Sequence, residues 1–231
     1  MCNEACIAFA HRVLGVDEVA GRRVLEVGSY DTTGTVRPGL EALGPATYVG
    51  VDIASGPSVD VICDVADLVF RFGIEAFDVV ISTEMVEHVR DWRRAFINMK
   101  SVLAPGGILV VTTRSLGFPY HFGPLDWWRY EAEDMRAIAA DMEILALESD
   151  PLSPGVFLAA RKGAAAPTDL APIALHSMVL DRRARDVGDG DVRRFEWTHP
   201  RVLARRLPSP VVAAAKVGYR LARAATNRSP G

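Results

Sequence analysis

The chain predicts an α/β protein built on a mostly parallel sheet with helices on both faces. Short apolar runs recur at 23–27, 47–52, 77–82 and 108–113, and helical patterns separate them. The first run, Val24-Leu25-Glu26-Val27, passes into a turn at Gly28 that continues through Ser29 and Tyr30 to Gly34, where a helical pattern begins. About twenty residues on, Tyr48-Val49-Gly50-Val51 ends in Asp52. Strand, glycine turn, helix, strand and terminal acid form the layout that presents a nucleoside-containing cofactor at the carboxyl edge of a parallel sheet.

In chain order, residues 3–14 read as a helix, with Ile7, Phe9, Ala10, Val13 and Leu14 on one side. A clearer helix spans 91–103, striped by Trp92, Ala95, Phe96, Met99, Val102 and Leu103. Pro105-Gly106-Gly107 stops it and turns the chain into the run at 108–113. An aromatic loop follows at 118–130, then a helix near 131–140. Two short strands, near 143–148 and 155–160, are joined by Pro151, Pro154 and Gly155, which predicts an antiparallel hairpin. The Ala- and Pro-rich stretch 163–172 marks a boundary between a main domain, 1–162, and a linker with a basic extension, 163–231.

The 231 residues suffice for one full α/β domain with an appendage. An apolar content of 49% against 24% charged residues supports a sizeable core. The net charge of −3 argues against a nucleic-acid binder, but it conceals an asymmetry. Residues 192–231 carry nine Lys/Arg and one acid, Glu196, on an otherwise acidic chain. Within 210–226 a helix would align Lys216, Arg220 and Arg223 opposite Val212, Ala215, Tyr219 and Ala222. Such a face suits an anionic membrane surface or a partner protein. Cys2, Cys6 and Cys63 make no disulfide framework, and Cys2 and Cys6 read as packed helix residues. No leader pattern or apolar run of about 20 residues is evident, so a cytoplasmic location is expected, with membrane association through the tail left open.

The ordered set Glu26-Val27-Gly28, Asp52, Asp64, Phe77-Asp78-Val79-Val80 and Leu103-Ala104-Pro105-Gly106-Gly107 resembles class I S-adenosylmethionine-dependent methyltransferases. The resemblance covers roughly residues 20–161 and implies their Rossmann-like, doubly wound, seven-stranded sheet with a final antiparallel hairpin. It implies S-adenosylmethionine as cofactor. Gly28 would let the backbone approach the methionine part, while Glu26 orients the turn or meets the ammonium. Asp52, followed by Ile53, would accept the ribose hydroxyls, and Asp64, followed by Val65, the adenine amino group. Ser29, Tyr30 and Gly34 belong to the turn, and Glu84 and Met85 follow the fourth strand on the cofactor side. Tyr30 stands where the family often has a second glycine, which implies a wider turn with Asp31 to Thr33 capping the next helix. The missing glycine also argues against a nicotinamide site.

The loop from Gly117 to Tyr130 holds two of the four tryptophans and two of the five tyrosines. It leaves the carboxyl edge where this fold binds acceptors. Tyr120, Asp126, Trp127, Trp128, Arg129 and Tyr130 are expected to bind substrate, with rings stacking on a sugar and charges bonding its hydroxyls. His121 is the candidate general base for a hydroxyl, and His88 the second. No metal site is compelled. Glu84, Asp126 and Glu87 are the oxygen ligands available to a metal-assisted variant, and Mg²⁺ stays open. Gly-Phe-Pro-Tyr-His followed by Trp-Arg-Tyr-Glu is similar to actinobacterial sugar O-methyltransferases, including those of methylmannose polysaccharides. The expected activity is methyl transfer to a hydroxyl of a sugar or oligosaccharide. Methylation of a small aromatic or polyketide-like metabolite is the alternative, and a non-catalytic cofactor-binding subunit the third reading. A homodimer is compatible with all three.

Overall fold

The computed structural model describes residues 3–121, 125–199 and 202. The first of two compact units, Met1–Asp186, carries a seven-stranded sheet, and the second is Val187–Gly231. The parallel strands are β1 (Arg23–Val27), β2 (Thr47–Asp52), β3 (Val61–Ile62), β4 (Phe77–Thr83) and β5 (Leu103–Arg114). Sheet order is β3-β2-β1-β4-β5, followed by β8 (Gly155–Lys162) and then β7 (Met142–Ser149). β8 runs antiparallel to both β5 and β7, as the Pro/Gly-rich connection predicts. The doubly wound α/β class expected from the sequence is the class observed.

Helices α1 (Glu4–Val13), α2 (Val16–Val19), α3 (Arg37–Glu41), α4 (Leu68–Phe72), α5 (Trp92–Val102) and α6 (Ala132–Ile138) accompany the strands. α1 starts where the Asn3 side chain accepts from Cys6 N, and α5 where Asp91 accepts from Arg94 N. Phe9 of α1 meets Phe157 of β8 with ring centroids 5.2 Å apart. Val79, Ile81, Ile108 and Val110 join that cluster. By strand alternation Val80, Leu109 and Val111, also fully buried, face the opposite side. β4 and β5 are thus covered on both faces, which explains their unbroken apolar runs.

Two local expectations change. The helix expected to begin at Gly34 starts at Arg37, because residues 31–36 form a loop. Asp31 accepts from Gly34 N at 2.8 Å and Thr35 from Arg37 N at 3.1 Å, so both side chains stabilise the loop. β5 begins at Leu103, earlier than the run at 108 suggests, with its first rung at Phe77 and a register irregularity before Val79. Gly106, at φ 76°, makes that irregularity accessible, and a Cβ on Gly107 would lie 2.7 Å from Asp78 O.

A second sheet was not foreseen. β6 (Trp128–Arg129), β9 (Leu175–Ser177) and β10 (Arg182–Ala184) form three antiparallel strands. The stretch 163–186 therefore belongs to the first unit, whereas the sequence drew its boundary at 163–172. α7 (Asp189–Thr198) lies in the second unit, where Phe195 stacks on His199 with centroids 4.5 Å apart. Cys2, loop residues 122–124 and the basic helix expected within 210–226 lie outside the described residues. Among the described residues no helix is long and apolar enough to cross a membrane.

Candidate functional site

A cavity of about 910 Å³ opens along the carboxyl ends of β1, β2 and β4. Every residue expected to hold a cofactor lines it: Glu26, Gly28, Ser29, Tyr30 and Gly34 from the first turn, Asp52 and Ile53 after β2, Asp64 and Val65, and Glu84 and Met85 after β4. The turn is tight at Gly28, where φ is 80° and a Cβ would sit 2.6 Å from Met85 Cβ. Glycine is required there on both counts. The Ser29 hydroxyl is buried and has no hydrogen-bond partner, which makes it an unused polar group on the cavity wall.

The three acids differ in how much of their bonding capacity the protein consumes. Glu26 is almost fully buried and accepts from Tyr48 Oη at 2.8 Å and Thr35 Oγ1 at 3.4 Å. Burial pushes its carboxyl up to about 7 against the opposing effect of these bonds. Asp52 accepts from Ala54 N at 3.0 Å with one oxygen and from Tyr30 N at 3.3 Å with the other. Each oxygen keeps a lone-pair direction for a ligand. Asp64 accepts from Ala66 N at 2.8 Å and so caps the 3-10 turn Val65–Asp67.

Glu84 follows β4 with φ 55°. Burial and the neighbouring Glu87 charge hold its carboxyl well above the usual carboxylate range, against the pull of Arg114. Arg114 Nε meets Glu84, and its Nη1 reaches Asp150 Oδ2 at 3.0 Å. Asn3 Nδ2 donates to the same Asp150 oxygen at 2.7 Å, which ties the start of α1 to this buried chain of charges.

The far wall is built by the turn Val86–His88 and the aromatic loop. Trp127 N donates to Glu87 O at 2.8 Å, and Met178 N to Trp127 O at 2.8 Å, which holds the loop between turn and second sheet. His121 Nδ1 lies 2.9 Å from Asp126 Oδ2, which also accepts from His121 N at 2.9 Å. Arg129 grips both Asp126 oxygens. Burial opposes ionisation of Asp126, but the bonds from Arg129 and His121 outweigh it and hold the carboxyl at about 2. His88 Nδ1 meets Leu125 O at 2.8 Å, and the two imidazoles pack edge to face with centroids 4.6 Å apart.

Of the expected acceptor residues, the structure brings His88, His121 and Trp127 to the cavity wall. Tyr120, Asp126, Trp128, Arg129 and Tyr130 are buried and do not line it. Tyr130 packs against Trp92 and Phe96 and donates to Val86 O at 3.1 Å. Trp128 Nε1 donates to Arg90 O at 3.0 Å, and Arg129 bonds Phe118 O and Pro119 O besides Asp126. These side chains shape the loop from behind. Arg90 and Asp91 line the cavity and were missed, because nothing local separates them from an ordinary helix start.

A family model for the methyltransferase domain matches residues 3–140, and the chain belongs to that family. Over 83 residues it is 30% identical to the reducing polyketide synthase ppsB of Aspergillus oryzae, covering 34% of this chain. The chain spans about 3% of the length of that relative. The fold is similar to 1,6-didemethyltoxoflavin-N1-methyltransferase of Burkholderia thailandensis, solved with 1,6-didemethyltoxoflavin and S-adenosylhomocysteine bound. That likeness has a TM-score of 0.56 and 18% identity over 70% of this chain and 80% of the other. An S-adenosylmethionine dependent methyltransferase of Mesorhizobium loti matches with a TM-score of 0.53 and 17% identity, over 69% of this chain and 99% of its own.

Proposed function

We propose that the chain transfers a methyl group from S-adenosylmethionine to a hydroxyl of a small, ring-bearing acceptor. One observation carries this reading: a single cavity joins the glycine turn and acids of the parallel edge to the imidazoles of His88 and His121. The cofactor is S-adenosylmethionine. It fits acceptors at Asp52 and Asp64, the unused Ser29 hydroxyl and the anionic form of Glu26, which suits an ammonium. When bound, it supplies an electrophilic methyl group.

The protein's share of the chemistry is to place and deprotonate the acceptor. Asp126 is ionised and accepts only, so His121 keeps its proton on Nδ1 and carries its lone pair on Nε2, a buried atom of a cavity-lining residue. The acceptor's proton would pass to that nitrogen as its oxygen takes the methyl group, the carbon–sulfur bond of the sulfonium breaking to leave S-adenosylhomocysteine. The dyad resembles other arrangements in which a buried carboxylate fixes a catalytic imidazole's tautomer. Holding the oxygen in line with the methyl group supplies the remaining acceleration. A poised dyad on an open cavity disfavours the non-catalytic reading.

The acceptor class follows from what the loop spends internally. A sugar site needs polar groups free to bond hydroxyls, and the charges expected to serve, Asp126 and Arg129, are consumed by each other and by loop carbonyls. Among its described residues the loop brings Trp127 and His121 to the cavity lining. A flat ring stacks on such a wall without hydroxyl partners. The test is a labelled-methyl assay on flat phenolic acceptors and on mono- and oligosaccharides, beside calorimetry with S-adenosylhomocysteine. Faster turnover of saccharides overturns the acceptor class. Failure to bind S-adenosylhomocysteine overturns the whole reading.

A further inference from the structure

The wall between the cavity and the aromatic loop holds a charge that the methyl-transfer reading does not use. Glu87 is fully buried; its Oε2 accepts from Thr113 Oγ1 at 2.8 Å, and its Oε1 has no hydrogen-bond partner among the described residues. A buried carboxylate oxygen without a donor is costly and calls for a cation. Two imidazole nitrogens face it at distances too long for hydrogen bonds: His121 Nε2 at 3.8 Å and His88 Nε2 at 3.9 Å. His121 Nε2 is itself buried and, among the described residues, without a hydrogen-bond partner. One donor atom from each of the three residues falls within a 4.8 Å span.

Each of the three is already held by its other polar atom. Asp126 bonds His121 Nδ1, the Leu125 carbonyl bonds His88 Nδ1, and Thr113 bonds Glu87 Oε2. A carbonyl only accepts, so neutral His88 carries its proton on Nδ1 and its lone pair on Nε2. Both Nε2 lone pairs and one carboxylate oxygen therefore converge, with outer partners of the kind that orient metal-binding imidazoles. Two donors about 2.1 Å from a tetrahedral ion stand roughly 3.4 Å apart, so each imidazole nitrogen, at 3.8 and 3.9 Å, closes on Glu87 Oε1 by about half an ångström.

We propose that Glu87, His88 and His121 form a binding site for a first-row divalent transition cation. Two imidazoles and one carboxylate match the zinc- and iron-type donor sets and not the all-oxygen sets of Mg²⁺ or Ca²⁺. His88 and His121 line the cavity, which places the site in its wall. The site rests on the geometry of these side chains, and its link to methyl transfer rests on the function proposed above. Occupied, it takes His121 Nε2 as a ligand in place of its role as base.

The probe is Co²⁺, titrated into the chelator-treated full chain and followed by its visible absorption, with Zn²⁺ as competitor. The expected result is one Co²⁺ per chain, displaced by Zn²⁺, with binding weakened about tenfold or more in His88→Ala, His121→Ala and Glu87→Gln. Circular dichroism and thermal unfolding of the same variants report whether each still folds. No Co²⁺ binding by the wild-type chain, or binding unchanged in folded histidine variants, overturns the site. Loss of S-adenosylhomocysteine binding by the wild type would sink the methyl-transfer reading without touching the metal site.

Discussion

On the proposed function, Glu26 sets the charge at the glycine-turn end of the cavity. Its carboxyl titrates near 7 in the folded chain and at 4.5 when free. Between those values the native state holds more protons than the unfolded one, so stability falls as pH rises from about 4.5 to about 7, by on the order of 3 kcal/mol. Urea unfolding across that range should show the slope, and Glu26→Gln should abolish it. A cofactor ammonium favours the anionic carboxylate, so S-adenosylhomocysteine affinity should rise with pH through about 7. A flat calorimetric profile from pH 5.5 to 8.5 would remove Glu26 from ammonium binding. Asp52→Ala should weaken the same ligand by roughly 1.5–3 kcal/mol, the worth of hydrogen bonds to a charged group. Unchanged affinity would place the ribose elsewhere. His121→Ala should cut turnover about 10²-fold or more while sparing S-adenosylhomocysteine binding.

At the scale of elements, β8 decides how firmly the sheet is closed. It lies between β5 and β7, and its Phe157 meets α1 through Phe9. Phe157→Ala should cost about 3–5 kcal/mol, because the β4–β5 side of that cluster has little room to collapse. Thermal and urea unfolding should agree on the loss, and a cost below about 1 kcal/mol would mean that α1 repacks onto the strand. The aromatic loop is a second kind of element, irregular in backbone yet fixed by bonds to residues far along the chain. Its direction comes from Trp127 N on Glu87 O, Tyr130 N on Arg114 O and Trp128 Nε1 on Arg90 O. Those partners explain why Trp128, Arg129 and Tyr130, conspicuous in the sequence, point away from the cavity.

For the molecule as a whole, the second sheet sets where the chain can be cut. β9 hydrogen-bonds to β6, and Arg93 reaches from α5 to the carbonyls of Leu170 and Ile173. A chain ending at residue 162 loses the pairing of β9 with β6 and the Met178 N–Trp127 O bond, and with them the second sheet's hold on the loop that carries Asp126 and Trp127. It should bind S-adenosylhomocysteine more weakly or unfold at lower temperature than a chain ending at Asp186, which keeps every cavity-lining residue. Equal stability of the two would restore the boundary to 163–172. The α/β architecture and the order of the cofactor-side residues were legible in the sequence because periodicity, glycine turns and strand-terminal acids are local signals. The pairing of β6 with β9 and the gathering of Glu87 with His88 and His121 were not, since they join segments with no shared pattern.

Local pattern therefore settled the parallel sheet, its hairpin and the residues lining the cavity at the sheet's carboxyl edge, where strand and turn chemistry dictates which way a side chain points. Tertiary contacts alone decided which loop residues face the cavity, and they turned Asp126 and Arg129 from expected substrate contacts into supports for His121. The physical reason is competition. A charged side chain on a loop bonds whichever partner the fold brings within about 3 Å, and that partner lies in another part of the chain.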